Sequence, residues 1–125
     1  MTTKTAVVCD DDRTLVHIMQ FVLAKKGFGV RTAENGAAAL ALLSAEKPGL
    51  LFLDLEMPEK DGFTVLQELQ GGGPHKMYVI VLSSHERKET HDKALSLGAN
   101  EVWVKPFNAG ELLRRVEGLI EQGKV

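Results

Sequence analysis

From Leu50 to Leu53 every residue is apolar, and the run closes on Asp54. A strand with one wet face alternates polar and apolar residues. A strand apolar on both sides of its alternation is one covered by helices on both faces, as in the middle of a parallel sheet. The rest of the chain supplies its neighbours. Shorter apolar runs at about Thr5–Cys9, Phe28–Thr32, Met77–Leu82 and Asn100–Val104 are each followed by a stretch with helical spacing or turn signals. Leu15, Ile18, Met19, Val22 and Leu23 mark one helix face that ends before Gly27. Asn35-Gly36 opens an Ala-rich helix with Leu40 and Leu43 on its inner side, stopped by Pro48-Gly49. Phe63, Leu66 and Leu69 mark a third helix, and Gly71-Gly72-Gly73-Pro74 reads as a turn too short for a domain linker. A polar helix over about Glu86–Leu97 ends at Gly98. The last helix is strongly two-sided, with Leu112, Leu113, Val116, Leu119 and Ile120 opposite Glu111, Arg114, Arg115, Glu117 and Glu121. Successive βα units of this kind predict an α/β fold with a parallel five-stranded sheet, doubly wound because right-handed crossovers place helices on both faces.

Length and composition narrow the reading. The 125 residues fit one domain, 1–125, with a core of about 5–121. Hydrophobic residues make up 44%, enough to pack a core. A formal charge of −2 leaves no polyanion-binding footprint, so direct nucleic-acid binding is not expected. The one cysteine, Cys9, excludes an internal disulfide and lies inside an apolar strand, where it reads as core filler. No stretch approaches the ~18 apolar residues of a membrane span, and the N-terminus lacks a secretory apolar core. The default expectation is a soluble cytoplasmic protein.

The chemistry gathers at strand ends. Asp10, Asp11 and Asp12 follow the first strand, Asp54 closes the third, Ser83 follows the fourth and Lys105 the fifth. In a parallel sheet these ends meet at one edge, where ligands bind at the point of reversed strand order. Carboxylates crowded in a crevice repel and need a cation. Oxygen donors on an open site suit magnesium, with manganese as a substitute. Each residue also has a plain role. Asp12 directly precedes a helix and fits an N-cap, which Asp10 or Asp11 alone could also be. Lys105 could be a solvated surface lysine, and Ser83 and Ser84 turn residues.

Asp10-Asp11, Asp54 with Met57-Pro58 and Asp61-Gly62, Ser83, Gly98-Ala99 and Lys105-Pro106-Phe107 stand in one order along the chain. In that set the chain resembles a response-regulator receiver domain, similar to chemotaxis-type single-domain regulators, from Val7 to about Ile120. The resemblance implies a flavodoxin-like (βα)5 fold of order 2-1-3-4-5; the family is among those that define this order, so the two expectations are one. It also implies a two-component phosphorelay. Asp54 would take a phosphoryl group from a phosphohistidine of a sensor histidine kinase or phosphotransfer protein. Asp10, Asp11, Asp54 and the backbone carbonyl of Glu56 would hold Mg2+. Lys105, before a cis Pro106, would contact a phosphoryl oxygen. Ser83 would bond the phosphoryl group and shift the surface of helix 4, strand 5 and helix 5 toward a downstream protein target. Glu56 and His85, each two residues past an active position, would tune phosphoryl lifetime.

One position departs from the family. Three residues before the lysine, where an aromatic often changes rotamer, stands Val102; Trp103 follows and faces the other side of the sheet. That leaves the serine-to-aromatic coupling open, with Ser83 and Val102 as the switch pair, and Trp103 reads as packing. His17, His75 and His91 lack metal-ligand spacing. Three rivals remain. A degenerate receiver would bind proteins without phosphorylation, although every acidic, hydroxyl and lysine position is filled. A haloacid-dehalogenase-type phosphohydrolase needs Asp-x-Asp at the first strand and a cap domain, so an enzyme is not expected. A flavodoxin-like cofactor binder needs a first loop that cradles phosphate, which Asp10-Asp11-Asp12 would repel. A stand-alone regulator, monomeric or weakly dimeric, is preferred over an excised piece of a longer protein.

Overall fold

A computed structural model describes residues 4–57, 61–70 and 77–125. The expected turn at Gly71–Pro74, His75 and Pro58 lie outside those residues. Strands and helices alternate: β1 (Lys4–Cys9), α1 (Arg13–Lys25), β2 (Phe28–Ala33), α2 (Gly36–Glu46), β3 (Leu50–Asp54), α3 (Gly62–Gln70), β4 (Tyr78–Ser83), α4 (Lys88–Ser96), β5 (Glu101–Val104) and α5 (Ala109–Glu121). The sheet order is β2-β1-β3-β4-β5, and every pairing is parallel. Val8 pairs with Phe52 and Phe52 with Ile80, so β1, β3 and β4 end nearly level and bring their last residues to one edge.

β3 is buried at all its positions, as its unbroken apolar run requires. Alternate residues feed two cores. Val8, Phe52, Leu82 and Trp103 face α1 and α5, where Met19, Leu23, Leu112 and Val116 cover them. Val7, Leu51, Leu53 and Val81 face the opposite layer, with Leu43, Val65, Leu66 and Ala94. Trp103 and Val102 therefore lie on opposite faces, as strand alternation predicts.

Helix starts follow local chemistry. Asp12 caps α1, its carboxylate accepting from the amides of Thr14 and Leu15. Asn35 caps α2 through Ala38. Asn108 and Glu111 form a reciprocal capping box at α5. Two sequence expectations shift. Ile18 is 37% exposed, because α1 buries Val16 with Met19, Val22 and Leu23, so the buried face is turned toward Val16 from the expected stripe. α4 begins at Lys88 rather than Glu86, because Ser84 and His85 are held in bonds of their own and Arg87 at the N-cap makes no side-chain cap bond.

Candidate functional site

Asp10 lies just past β1, Asp54 ends β3 and Ser83 ends β4, all buried, while Asp11 is exposed beside them. One carboxylate oxygen from each of Asp10, Asp11 and Asp54 falls within 4.8 Å of the others. The lysine after β5 reaches the same point. Lys105 Nζ lies 2.8 Å from Asp10 Oδ2 and 3.5 Å from Asp54 Oδ1. The Lys105–Pro106 peptide is cis, as expected. Asp12 does not join the cluster among the described residues, because its carboxylate caps α1.

The backbone fixes these carboxylates. Asp10 Oδ1 accepts the Asp12 amide at 2.9 Å, and the Asp10 amide itself donates to Ala33 O of β2. Asp54 Oδ1 accepts the Glu56 amide at 3.1 Å. Gly62 holds the end of β3 from behind. A Cβ there would meet Asp54 O at 2.6 Å and Leu55 Cα at 2.8 Å, so only glycine lets α3 begin this close. The Asp61-Gly62 pair thus has a steric meaning that spacing alone did not reveal. Asp61 accepts from both the amide and the hydroxyl of Thr64 and starts the helix.

Burial costs a carboxylate its hydration. Desolvation first, then the charge of Asp10, push Asp54 up to about 6; the Glu56 amide and Lys105 pull it back only in part. Burial pulls the Lys105 ammonium down, yet its bonds and charge attraction to Asp10 and Asp54 outweigh that and leave it raised. Asp10 Oδ2 is buried, and the Lys105 ammonium 2.8 Å away is its partner. Three carboxylates facing one ammonium leave negative charge in excess, which fits a hard cation approaching from the open side.

The hydroxyl side is arranged differently. Ser83 Oγ accepts the His85 amide at 3.0 Å and donates to the His85 carbonyl at 3.3 Å. Ser84, read from sequence only as a turn residue, contacts the site through Glu56. Glu56 Oε1 accepts from the Ser84 amide at 3.0 Å and its hydroxyl at 2.6 Å. His85 is exposed, and His91 Nε2 lies 3.0 Å from its carbonyl. His17 is exposed on α1 and is not a member of the carboxylate cluster among the described residues.

Residues 6–117 match the family described as response regulator receiver domain. The chain belongs to that family. The receiver domain is 32% identical over 124 residues to the alkaline phosphatase synthesis transcriptional regulatory protein PhoP of Bacillus subtilis, covering 98% of this chain and 50% of that protein. It is also 32% identical over 110 residues to the transcriptional regulatory protein KdpE of Staphylococcus aureus, covering 88% of this chain and 47% of that one. It spans about half the length of these curated relatives. Among solved structures, the receiver domain of the Francisella response regulator 1452 superposes with a TM-score of 0.83 at 27% identity, covering 96% and 98% of the two chains. The Mn(2+)-bound form of response regulator Rcp1 gives a TM-score of 0.78 at 26% identity over 93% and 91%. Receiver domains are the phosphate-accepting modules of two-component signalling, work with histidine kinases or phosphotransfer proteins, and bind Mg2+ or Mn2+ at an acidic pocket. No helix among the described residues of this receiver domain is long and apolar enough to cross a membrane.

Proposed function

We propose that residues 1–125 act as a single receiver domain in which Asp54 is the phosphoacceptor. One observation carries the reading: Asp54 lies within 4.8 Å of Asp10 and Asp11 through their carboxylate oxygens, with the Lys105 ammonium 3.5 Å away. An Asp54 oxygen attacks the phosphorus of a phosphohistidine on a sensor kinase or phosphotransfer protein. The P–O bond forms as the P–N bond breaks, and the imidazole leaves with the electron pair and takes a proton. Desolvation makes the Asp54 carboxylate a less solvated nucleophile, and Lys105 supplies a fixed positive charge for a phosphoryl oxygen.

Asp10, Asp11, Asp54 and the Glu56 backbone carbonyl would hold Mg2+ or Mn2+. A bound ion of this kind would neutralise charge on the phosphoryl oxygens. Ser83 donates to the phosphoryl group once it is formed, which biases the β4–α4 loop and the surface made by α4, β5 and α5 toward a downstream protein. With Val102 on the α4-facing layer, that coupling runs without a large ring at the position. Glu56 and His85 set the lifetime of the phosphoryl group. The chain assists its own phosphorylation and hydrolysis but turns over no separate substrate. It works in the cytoplasm, as a monomer or weak dimer, and acts on proteins rather than on nucleic acid.

Incubation with acetyl phosphate and Mg2+, read by intact mass, tests this. The expected result is one added phosphoryl group, labile to hydroxylamine and lost in Asp54→Asn. An unlabelled wild type, or a retained label in Asp54→Asn, overturns the assignment; the former would leave a protein-binding module that needs no phosphorylation.

A further inference from the structure

We propose that the Glu56 side chain is a clasp on the β4–α4 loop that governs when Ser83 can turn toward Asp54. Glu56 is then a positioning residue, acting through Ser84. The inference rests on the reading of Asp54 as phosphoacceptor and says how that site is regulated. Glu56 Oε1 accepts two bonds from Ser84, from its amide at 3.0 Å and its hydroxyl at 2.6 Å. These bonds tie the loop after β3 to the loop after β4 across the front of the site. One residue back, the buried Ser83 hydroxyl is closed on its own loop, accepting from and donating to His85. Ser83 and Ser84 share a peptide, so a fixed Ser84 fixes the direction from which Ser83 Oγ leaves the strand.

The Ser83 carbonyl stays bonded to the Lys105 amide at 2.8 Å, which holds the end of β4 while the loop beyond it has few other ties among the described residues. Arg87 adds no side-chain cap to α4, and that helix buries Ala94 while Leu95 stands 46% exposed. The His85 carbonyl would not be stranded if Ser83 left it, because His91 Nε2 is already 3.0 Å away and donates when that nitrogen carries the proton. The clasp is a side-chain tie from this loop to the loop after β3.

Charge supplies the release. The Glu56 amide bonds Asp54 Oδ1 at 3.1 Å, so the two carboxylates belong to one short turn. A phosphoryl dianion on Asp54 adds negative charge beside Glu56, and like charges at this range repel. The same dianion offers the Ser83 hydroxyl a stronger acceptor than the neutral His85 carbonyl. Weakening of the clasp and recruitment of Ser83 are thus two results of one event.

A double-mutant cycle tests the clasp, with beryllofluoride and Mg2+ as the phosphoryl probe and affinity read from amide shifts by NMR. Ser84→Ala should tighten beryllofluoride binding about threefold, since it removes one of the two bonds that hold the loop back. Glu56→Ala should tighten it by about three- to tenfold, and the double variant should match Glu56→Ala alone. In Glu56→Ala the Ser84 amide should also exchange faster with solvent. Additive effects, or an unchanged affinity in Ser84→Ala, would mean that Glu56 acts by repulsion alone and would overturn the clasp. The Asp54 mass label on the same proteins separates the two readings. A labelled wild type with additive variants sinks only the clasp, whereas an unlabelled wild type sinks the phosphoacceptor reading beneath it.

Discussion

The connections after β4 and after β5 deliver a hydroxyl and an ammonium to the same site, and they are held by opposite means. The β5–α5 connection is packed and charged. Lys105 is paired to Asp10 and Asp54. Phe107 meets Trp103 edge-on at 6.0 Å between ring centroids, and the Arg115 guanidinium lies 5.1 Å from the Trp103 ring and 5.9 Å from that of Phe107. A capping box then starts α5, which buries Leu112, Val116 and Leu119. The β4–α4 connection has none of this packing. Its polar residues bond one another and Glu56, and the helix that follows is uncapped by a side chain and buries Ala94. Aromatic and aliphatic burial makes a stiff connection, whereas exposed hydrogen bonds make one that opens at low cost. The proposed mechanism, in which a charge is held still while a hydroxyl moves, is well served by this division.

The contrast can be broken most decisively by truncating one leucine on each of the two helices. Leu112→Ala should cost about 2–5 kcal/mol, because Leu112 is fully buried and the cavity cannot collapse easily. Leu95→Ala on α4 should cost less than about 0.5 kcal/mol. Urea denaturation reads both, and similar losses would show that α4 is as firmly held as α5.

A smaller effect sharpens the electrostatics between the two connections. Asp54 is raised from its ordinary 3.8 to about 6, chiefly by desolvation. The folded protein therefore binds this proton more tightly than the unfolded chain. Its contribution to stability is fully present below 3.8 and is lost as pH rises through about 6. In metal-free buffer Asp54→Asn should be more stable than wild type at pH ~7.5 by on the order of 1–3 kcal/mol and should flatten the slope between those values. A variant less stable than wild type at that pH would mean that the Lys105 pair outweighs desolvation.

Two capping changes give the finest tests. Asn108→Ala removes the α5 cap and should cost about 1 kcal/mol in urea denaturation. Arg87→Asp places a cap and a negative charge at the bare start of α4 and should raise stability by about 0.5–1 kcal/mol, seen as a higher Tm. No gain there would show that the α4 terminus is already satisfied by other means, and the two connections would be more alike than the caps suggest.

The alternation of strand and helix, the central place of β3 and the set of Asp10, Asp11, Asp54, Ser83 and Lys105 were legible in the residues. Each rests on a periodicity or on a side chain placed directly at a strand end. The face of α1 was less legible, since Ile18 and Val16 are both apolar and only tertiary packing decides between them. The start of α4 was missed for a related reason: Ser84 is engaged by the sequence-distant Glu56 and His85 by the Ser83 hydroxyl. Neither Glu56's reach to Ser84 nor the close approach of Gly62 to β3 has any signature in spacing.

The order of residues alone determined the α/β class, the two-sided burial of β3 and which chemical groups meet at the sheet edge, because period and strand-end position are local properties of a chain. Tertiary structure decided how those groups are charged and which partners hold each of them. The raised Asp54, the pairing of Lys105 with two carboxylates and the Glu56–Ser84 bond depend on distances across strands. Such distances set dielectric, repulsion and hydrogen bonding, and no linear pattern encodes them.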